Sequence, residues 1–203
     1  MNKLASIYFL HKQGLPTVNP QLIMERTESH VRKTVDSFYR DRKLGWVLRC
    51  GELPDERAKV ERGLPWSKSK DREDLVQQIL LMQKDIGPRY FVFCHPAFNL
   101  IRGGVMLVEG NRVIIEAAAG NDRELSAMFR GHSNPQQTLQ FKPGMLSFNC
   151  SGKPVLTPND INDMRTIERN LSWSDLNAVA NPVAIEFSRL GDGSLYVHDL
   201  SLI

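Results

Sequence analysis

The sequence predicts an α+β protein of two lobes, with mostly antiparallel sheets and flanking helices. Three observations predict it. The first 87 residues carry helix-spaced apolar segments between short apolar runs. After Pro88 the pattern changes to successive strand-length runs joined by tight turns. The length, 203 residues, suits one large domain or two small lobes. The change of character near residues 88–95 sets the expected boundary, giving lobes 1–95 and 96–203.

The elements follow in order. Leu4, Ile7, Tyr8 and Leu10 have helical spacing, closed by Gly14 and Pro16. Residues 22–24 form a short apolar strand. Thr27 is placed to cap a helix through Val31, Val35, Phe38 and Tyr39, with His30 where a capping box wants Glu. Residues 46–48 read as a buried strand followed at once by Arg49. Residues 50–72 mix charges of both signs with few apolar side chains and read as a long mobile loop. Residues 73–85 form an amphipathic helix. Strands are expected at 90–94, 104–108 and 112–118, and shorter ones at 139–141 and 146–149, with irregular chain from Gly120. Thr157-Pro158-Asn159-Asp160 starts a helix expected to run past Trp173. Two closing strands cover 184–188 and 195–200.

Composition narrows the function classes. The chain is 41% hydrophobic and 24% charged, ordinary for a globular protein. Its net charge of +3 is too weak to argue for nucleic acid and fits an anionic small ligand. Lys59, Arg62, Lys68, Lys70 and Arg72 surround Trp66, but Asp55, Glu56, Glu61, Asp71 and Glu73 dilute them, so a nucleic-acid partner is not expected. The three cysteines, Cys50, Cys94 and Cys150, form no CxxC, which argues against disulfide or zinc frameworks and for a reducing, cytoplasmic setting. The apolar run at 4–10 ends at His11-Lys12 without a cleavage site, so no signal peptide is expected. No run approaches the ~18 apolar residues of a membrane span, so no membrane partner is expected.

The last strands carry the most specific pattern. Asp-Gly at the centre of Gly191-Asp192-Gly193-Ser194 is a strong two-residue hairpin signal. Counting back from it, Ser188 faces Val197 and Glu186 faces Asp199. Opposed carboxylates repel, with Cβ atoms about 5 Å apart. A divalent cation, a shared proton or splaying into water would each relieve the repulsion. A three- or four-residue loop would instead break the pairing and turn His198 inward.

Four separated segments resemble the nucleotide-binding domain of pyruvate phosphate dikinase and phosphoenolpyruvate synthase, which are ATP-grasp proteins. Asn2-Lys3-Leu4-Ala5-Ser6 with Gly14-Leu15-Pro16 is similar to the family's opening lysine motif. Val47-Leu48-Arg49-Cys50-Gly51-Glu52 resembles its strand ending in a phosphate-binding arginine. Gly103-Gly104-Val105-Met106 and Val113-Ile114-Ile115-Glu116-Ala117-Ala118-Ala119-Gly120 resemble its adenine strands. Asn181-Pro182-Val183-Ala184-Ile185-Glu186-Phe187, then Gly193-Ser194-Leu195-Tyr196-Val197-His198-Asp199, resemble its metal hairpin.

The resemblance implies an ATP-grasp-like fold with ATP and Mg2+ as cofactors. It gives Lys3 and Arg49 phosphate and catalytic roles, and leaves Gly63 as remnant of a phosphate loop. It puts Val113, Ile115 and Glu116 beside the nucleotide, where backbone groups read the base. Glu186 and Asp199 would hold the metal; the phosphate arginine expected two residues further on is replaced by Ser201. The implied activity is magnesium-dependent phosphoryl transfer or ATP-dependent ligation, with a separate acceptor protein or a small carboxylate as partner. The alternative is a non-catalytic nucleotide-binding module that acts through a protein partner.

Overall fold

The computed structural model describes residues 3–52, 65–87, 89–145, 147–171 and 182–202. The chain divides into two compact units, one built on Asn19–Phe98 and the other on Ala5–Val18 with Asn99–Ile203. The expected boundary at 95/96 therefore lies three residues early, and residues 5–18, expected in the first lobe, belong with the second. Leu10 and Leu15 are the reason: they are buried in the core of the larger unit.

The smaller unit is a four-stranded antiparallel sheet of order β1-β4-β2-β3 with two helices: β1 (Gln21–Ile23), α2 (Glu28–Phe38), β2 (Trp46–Glu52), β3 (Trp66–Ser69), α3 (Arg72–Asp85) and β4 (Tyr90–Pro96). Trp46, Leu48 and Cys50 alternate onto one face and meet Val31 and Val35 of α2 and Leu75 and Ile79 of α3. Asp71 caps α3 by accepting from the Asp74 amide. Thr27 makes no such cap; its hydroxyl lies 2.9 Å from His30 Nδ1 instead. The expected loop at 50–72 shrinks at both ends, because β2 runs on to Glu52 and Trp66–Ser69 pairs with it. Gly63, Lys59 and Arg62 lie outside the described residues.

The larger unit is a six-stranded antiparallel sheet of order β10-β9-β5-β6-β7-β8. Its strands are β5 (Leu100–Glu109), β6 (Arg112–Ala119), β7 (Gln137–Phe141), β8 (Asn149–Gly152), β9 (Val183–Leu190) and β10 (Leu195–Leu202). Its helices are α1 (Lys3–Lys12), α4 (Asp122–Phe129) and α5 (Pro158–Asn170). Alternate residues of the strands, among them Met106, Ile115, Leu139 and Ile185, pack with Met164 and Ile167 of α5 in one core. Strand β8 begins where the expected 146–149 strand ends. Helix α4 replaces the expected irregular chain. Its signal stands in the sequence as Asn121-Asp122-Arg123-Glu124, a complete capping box. The expected extension of α5 past Trp173 lies outside the described residues.

The edge of β10 is covered rather than left open. The Val197 amide donates to the Pro16 carbonyl (2.7 Å), and the Leu200 amide donates to buried Ser6 Oγ (2.7 Å). Satisfying those edge donors with local chain removes a template for strand addition.

One ionic cluster fixes α5 on the sheet. Asp160, 1% exposed, completes a capping box with Thr157 and accepts from Arg102 Nε (2.8 Å) and Arg189 Nε (2.7 Å). Arg189 also donates to Asp163 and to the Gly193 carbonyl in the β9–β10 turn. Burial by itself would raise the Asp160 pKa; the hydrogen bonds from Thr157, Arg102 and Arg189 outweigh it and hold the group at about 2.

Two outcomes follow from these environments. Asp160→Asn leaves two opposed, mostly buried guanidinium groups short of charge and should cost about 3–5 kcal/mol, read by urea unfolding at neutral pH. The folded pKa is depressed, so the Asp160 contribution is full above the ordinary carboxylate pKa and fades as pH falls through about 2; the difference between wild type and Asp160→Asn should narrow over that acid range. Among the thiols, burial pushes Cys50 up to about 11 and raises Cys94 still further, while Cys150 is exposed. A thiol reagent should therefore modify one cysteine quickly in the native protein and the other two only on unfolding.

Candidate functional site

The six-stranded sheet has a second face, turned away from the α5 core. Reading straight across it, Asp199 of β10 stands opposite Glu186 of β9. Glu186 stands opposite Val105 of β5, and Val105 opposite Glu116 of β6. Directly opposed residues share a face, so three acids stand in one row, each half-buried. With strands about 4.8 Å apart, Glu116 lies about 10 Å from Glu186.

The opposition of Glu186 and Asp199 arises by a different route from the two-residue turn that predicts it. Gly193 has φ +86°, its amide donates to the Leu190 carbonyl, and the Leu190 amide donates to the Ser194 carbonyl. That is a three-residue loop, which shifts the pairing by one: Leu195 faces Arg189, Tyr196 faces Ser188 and Val197 faces Phe187. A bulge between Val197 and Asp199 then inserts His198 as an extra residue and returns Asp199 to Glu186. The sequence carries a signal of this: the alternation Leu195, Val197 resumes at Leu200, three residues on instead of two.

His198 is held where it bulges. Its Nε2 lies 2.7 Å from Oγ of fully buried Ser188. Its ring meets Tyr196 edge-on, with centroids 4.5 Å apart, and Phe129 of α4 at 5.9 Å. Gly103 makes room for Ser188: a Cβ there would stand 2.6 Å from Ser188 Oγ and 2.5 Å from the Phe187 carbonyl oxygen. Gly104 serves the neighbouring strands, since its Cβ would come within 2.3 Å of the Glu116 carbonyl oxygen. The Gly-Gly pair on a central strand thus marks close approach rather than a turn.

The other sequence-predicted residues fall as follows. Val113 and Ile115 are buried in the α5 core. Strand β6 pairs with both β5 and β7 from Val113 to Ala117, so its N–H and C=O groups are taken by the two ladders. The strand therefore offers Glu116 to the acid face, and neither the side chains nor free backbone groups of Val113 and Ile115. Arg49 sits mid-strand in β2, half-buried, between Phe93 and Trp66, on the face opposite the helices of its own unit. Lys3 is the first residue of α1, and its side chain lies outside what the structure describes. Ser201 stands opposite Ala184.

The donor set fits a hard divalent cation. Two opposed carboxylates suit Mg2+, which keeps several waters and takes one or two protein carboxylates with phosphate oxygens. Among the described residues no group of three His, Cys, Asp or Glu side chains gathers into a protein-only cage. Among the described residues no helix is long and apolar enough to cross a membrane.

No protein-family model matches the chain, and no curated protein sequence matches it. Solved structures do match its fold. D-alanine-D-alanine ligase from Helicobacter pylori is similar over all of this chain and 54% of its own, with TM-score 0.60 and 14% identity. D-alanyl-alanine synthetase A from Vibrio cholerae gives TM-score 0.58 at 10% identity, over 99% of this chain and 55% of its own. Carboxyaminoimidazole ribonucleotide synthase from Aspergillus clavatus, solved with ATP, gives TM-score 0.55 at 12% identity, over 98% and 44%. The fold is ATP-grasp-like, as expected. This chain spans about half the length of those proteins.

Gly104→Ala tests the packing under the acid row. The added methyl meets backbone, which cannot swing away, and should cost about 1–3 kcal/mol in chemical unfolding.

Proposed function

We propose that this chain binds ATP with Mg2+ on the acid face of its six-stranded sheet, as part of an ATP-dependent ligase-type activity. The observation that carries the reading is the row Asp199–Glu186–Val105–Glu116 on one face of an ATP-grasp-like fold. Glu186 and Asp199 would hold the ion. Bound there, the ion would neutralise charge on the β- and γ-phosphates. Glu116, two strands along the row, does not gather with the pair into one three-ligand cage among the described residues, and faces the remainder of the ligand. Arg49, on its own sheet, offers a planar fork of donors suited to phosphate oxygens. Lys3 and Gly63 keep the phosphate roles that their motifs imply, on sequence alone.

The acceptor chemistry divides on two kinds of support. Fold similarity to ligases favours a small carboxylate activated as an acyl phosphate. The motif order resembling pyruvate phosphate dikinase favours phosphoryl transfer to a separate protein. A second reading, nucleotide binding without turnover, is favoured by Ser201 where the resemblance expects an arginine.

Thermal stabilisation tests the reading, because a ligand of the folded state raises its stability, by about 2.7 kcal/mol at a hundred times Kd. ATP with Mg2+ should stabilise wild type more than ATP alone, and Glu186→Ala should lose the Mg2+ increment. Absence of any nucleotide effect would sink the proposal. ADP release that depends on an added carboxylate would select the ligase reading; saturable binding with no ADP release would select the binding module.

A further inference from the structure

We infer that His198 is the positioning residue of the acid pair: by locking the bulge in β10 it sets Asp199 opposite Glu186, and so sets the site's affinity for a divalent ion. The inference rests on the proposed role of that pair and adds the residue that controls it.

The parity of β10 decides which face Asp199 takes. Up to Val197 the β9–β10 register is that of the three-residue turn. Continued without interruption, it would put His198 opposite Glu186 and Asp199 opposite Ile185. Side chains alternate between faces, so Asp199 would then point into the α5 core, where Ile185 is fully buried. The extra residue prevents this. With His198 bulged, Asp199 joins Glu186 on the second face and Leu200 takes the place opposite Ile185, where it is 1% exposed.

The bulge could in principle sit elsewhere on the strand. Its place is fixed by what His198 touches. Ser188 Oγ is fully buried and shares a 2.7 Å hydrogen bond with Nε2. Tyr196 and Phe129 bracket the ring. Moving the bulge toward the turn or away from it would strip a buried hydroxyl of that bond, a cost of about 1–3 kcal/mol. Gly103 completes the device, because any larger residue would displace Ser188. His198 acts on the strand and not on the ion: it sets the face on which Asp199 stands, while the Asp199 carboxylate itself accepts from the Leu200 amide (3.0 Å). Partners that orient metal-binding groups in this way typically change metal affinity by about 10- to 100-fold when removed.

The test measures the Mg2+ concentration that gives half of the Mg2+-dependent increment in ATP stabilisation, beside the shift produced by ATP without Mg2+. His198→Leu, which keeps bulk and loses the hydrogen bond, should raise the Mg2+ requirement by roughly tenfold or more while leaving the metal-free ATP shift unchanged. His198→Gln, whose amide reaches the Nε2 position, should restore most of the wild-type requirement. Ser188→Ala removes the same bond from the other side and should follow the leucine variant; it carries the test if His198→Leu does not fold. An unchanged Mg2+ requirement in both His198→Leu and Ser188→Ala overturns the inference while the metal reading stands. A wild type with no Mg2+ increment overturns both. Equal losses with and without Mg2+ would mean general damage and also count against the inference.

Discussion

Arg102 and Arg189 stand directly opposite each other on β5 and β9, a repulsive arrangement unless a counter-charge joins them. Asp160, brought in by the first turn of α5, is that counter-charge. It is buried, it caps its own helix, and it meets both guanidinium groups at ordinary charge-assisted distances. Burying such a cluster adds little net stability over well-packed apolar residues. Its contribution is geometric. Helix α5 can sit on the sheet only where both arginines reach the carboxylate, and Arg189 extends the same constraint to the Gly193 carbonyl in the terminal turn.

Strand β9 therefore carries two opposed like-charged pairs, one on each face. The arginine pair with β5 has its counter-charge from within the chain. The acid pair with β10 would, in the proposed function, hold a bound cation. The two are coupled through a single backbone: Arg189 and Glu186 are three residues apart and point to opposite sides of the sheet. Whatever fixes the register at Arg189 fixes the acids as well, once the bulge at His198 has corrected the parity of β10.

Several elements were legible because their signals are local. The helices from residue 28, from 73 and from Pro158 follow from spacing and caps, and the 104–108 and 112–118 strands from alternation about a tight turn. The capping box at Asn121 was equally local and fell within chain read as irregular. Strand β3 was not legible, because Trp66–Ser69 is amphipathic only in the company of β2 and stands in a charge-rich stretch. The site was legible in part. Glu186, Asp199 and Glu116 were singled out, and His198 was tied to them as the residue that a three-residue loop would turn inward, but Ser188 and Gly103 were not linked to His198, since those contacts join three strands.

The sequence by itself determined the α+β class and the antiparallel character of the second half, because periodicity and turn residues are written along the chain. Tertiary structure decided the rest. It placed residues 5–18 with the larger unit, because Leu10 and Leu15 find their apolar partners there. It turned Val113 and Ile115 into the core and left Glu116 on the acid row, because side chains of β6 alternate between faces and α5 packs on only one of them. It also replaced the expected tight turn with a longer one and a compensating bulge. Alternation along one strand gives a face only relative to its neighbour, so the pairing of Glu186 with Asp199 rests on Ser188, Tyr196 and Phe129, which only the folded chain brings around His198.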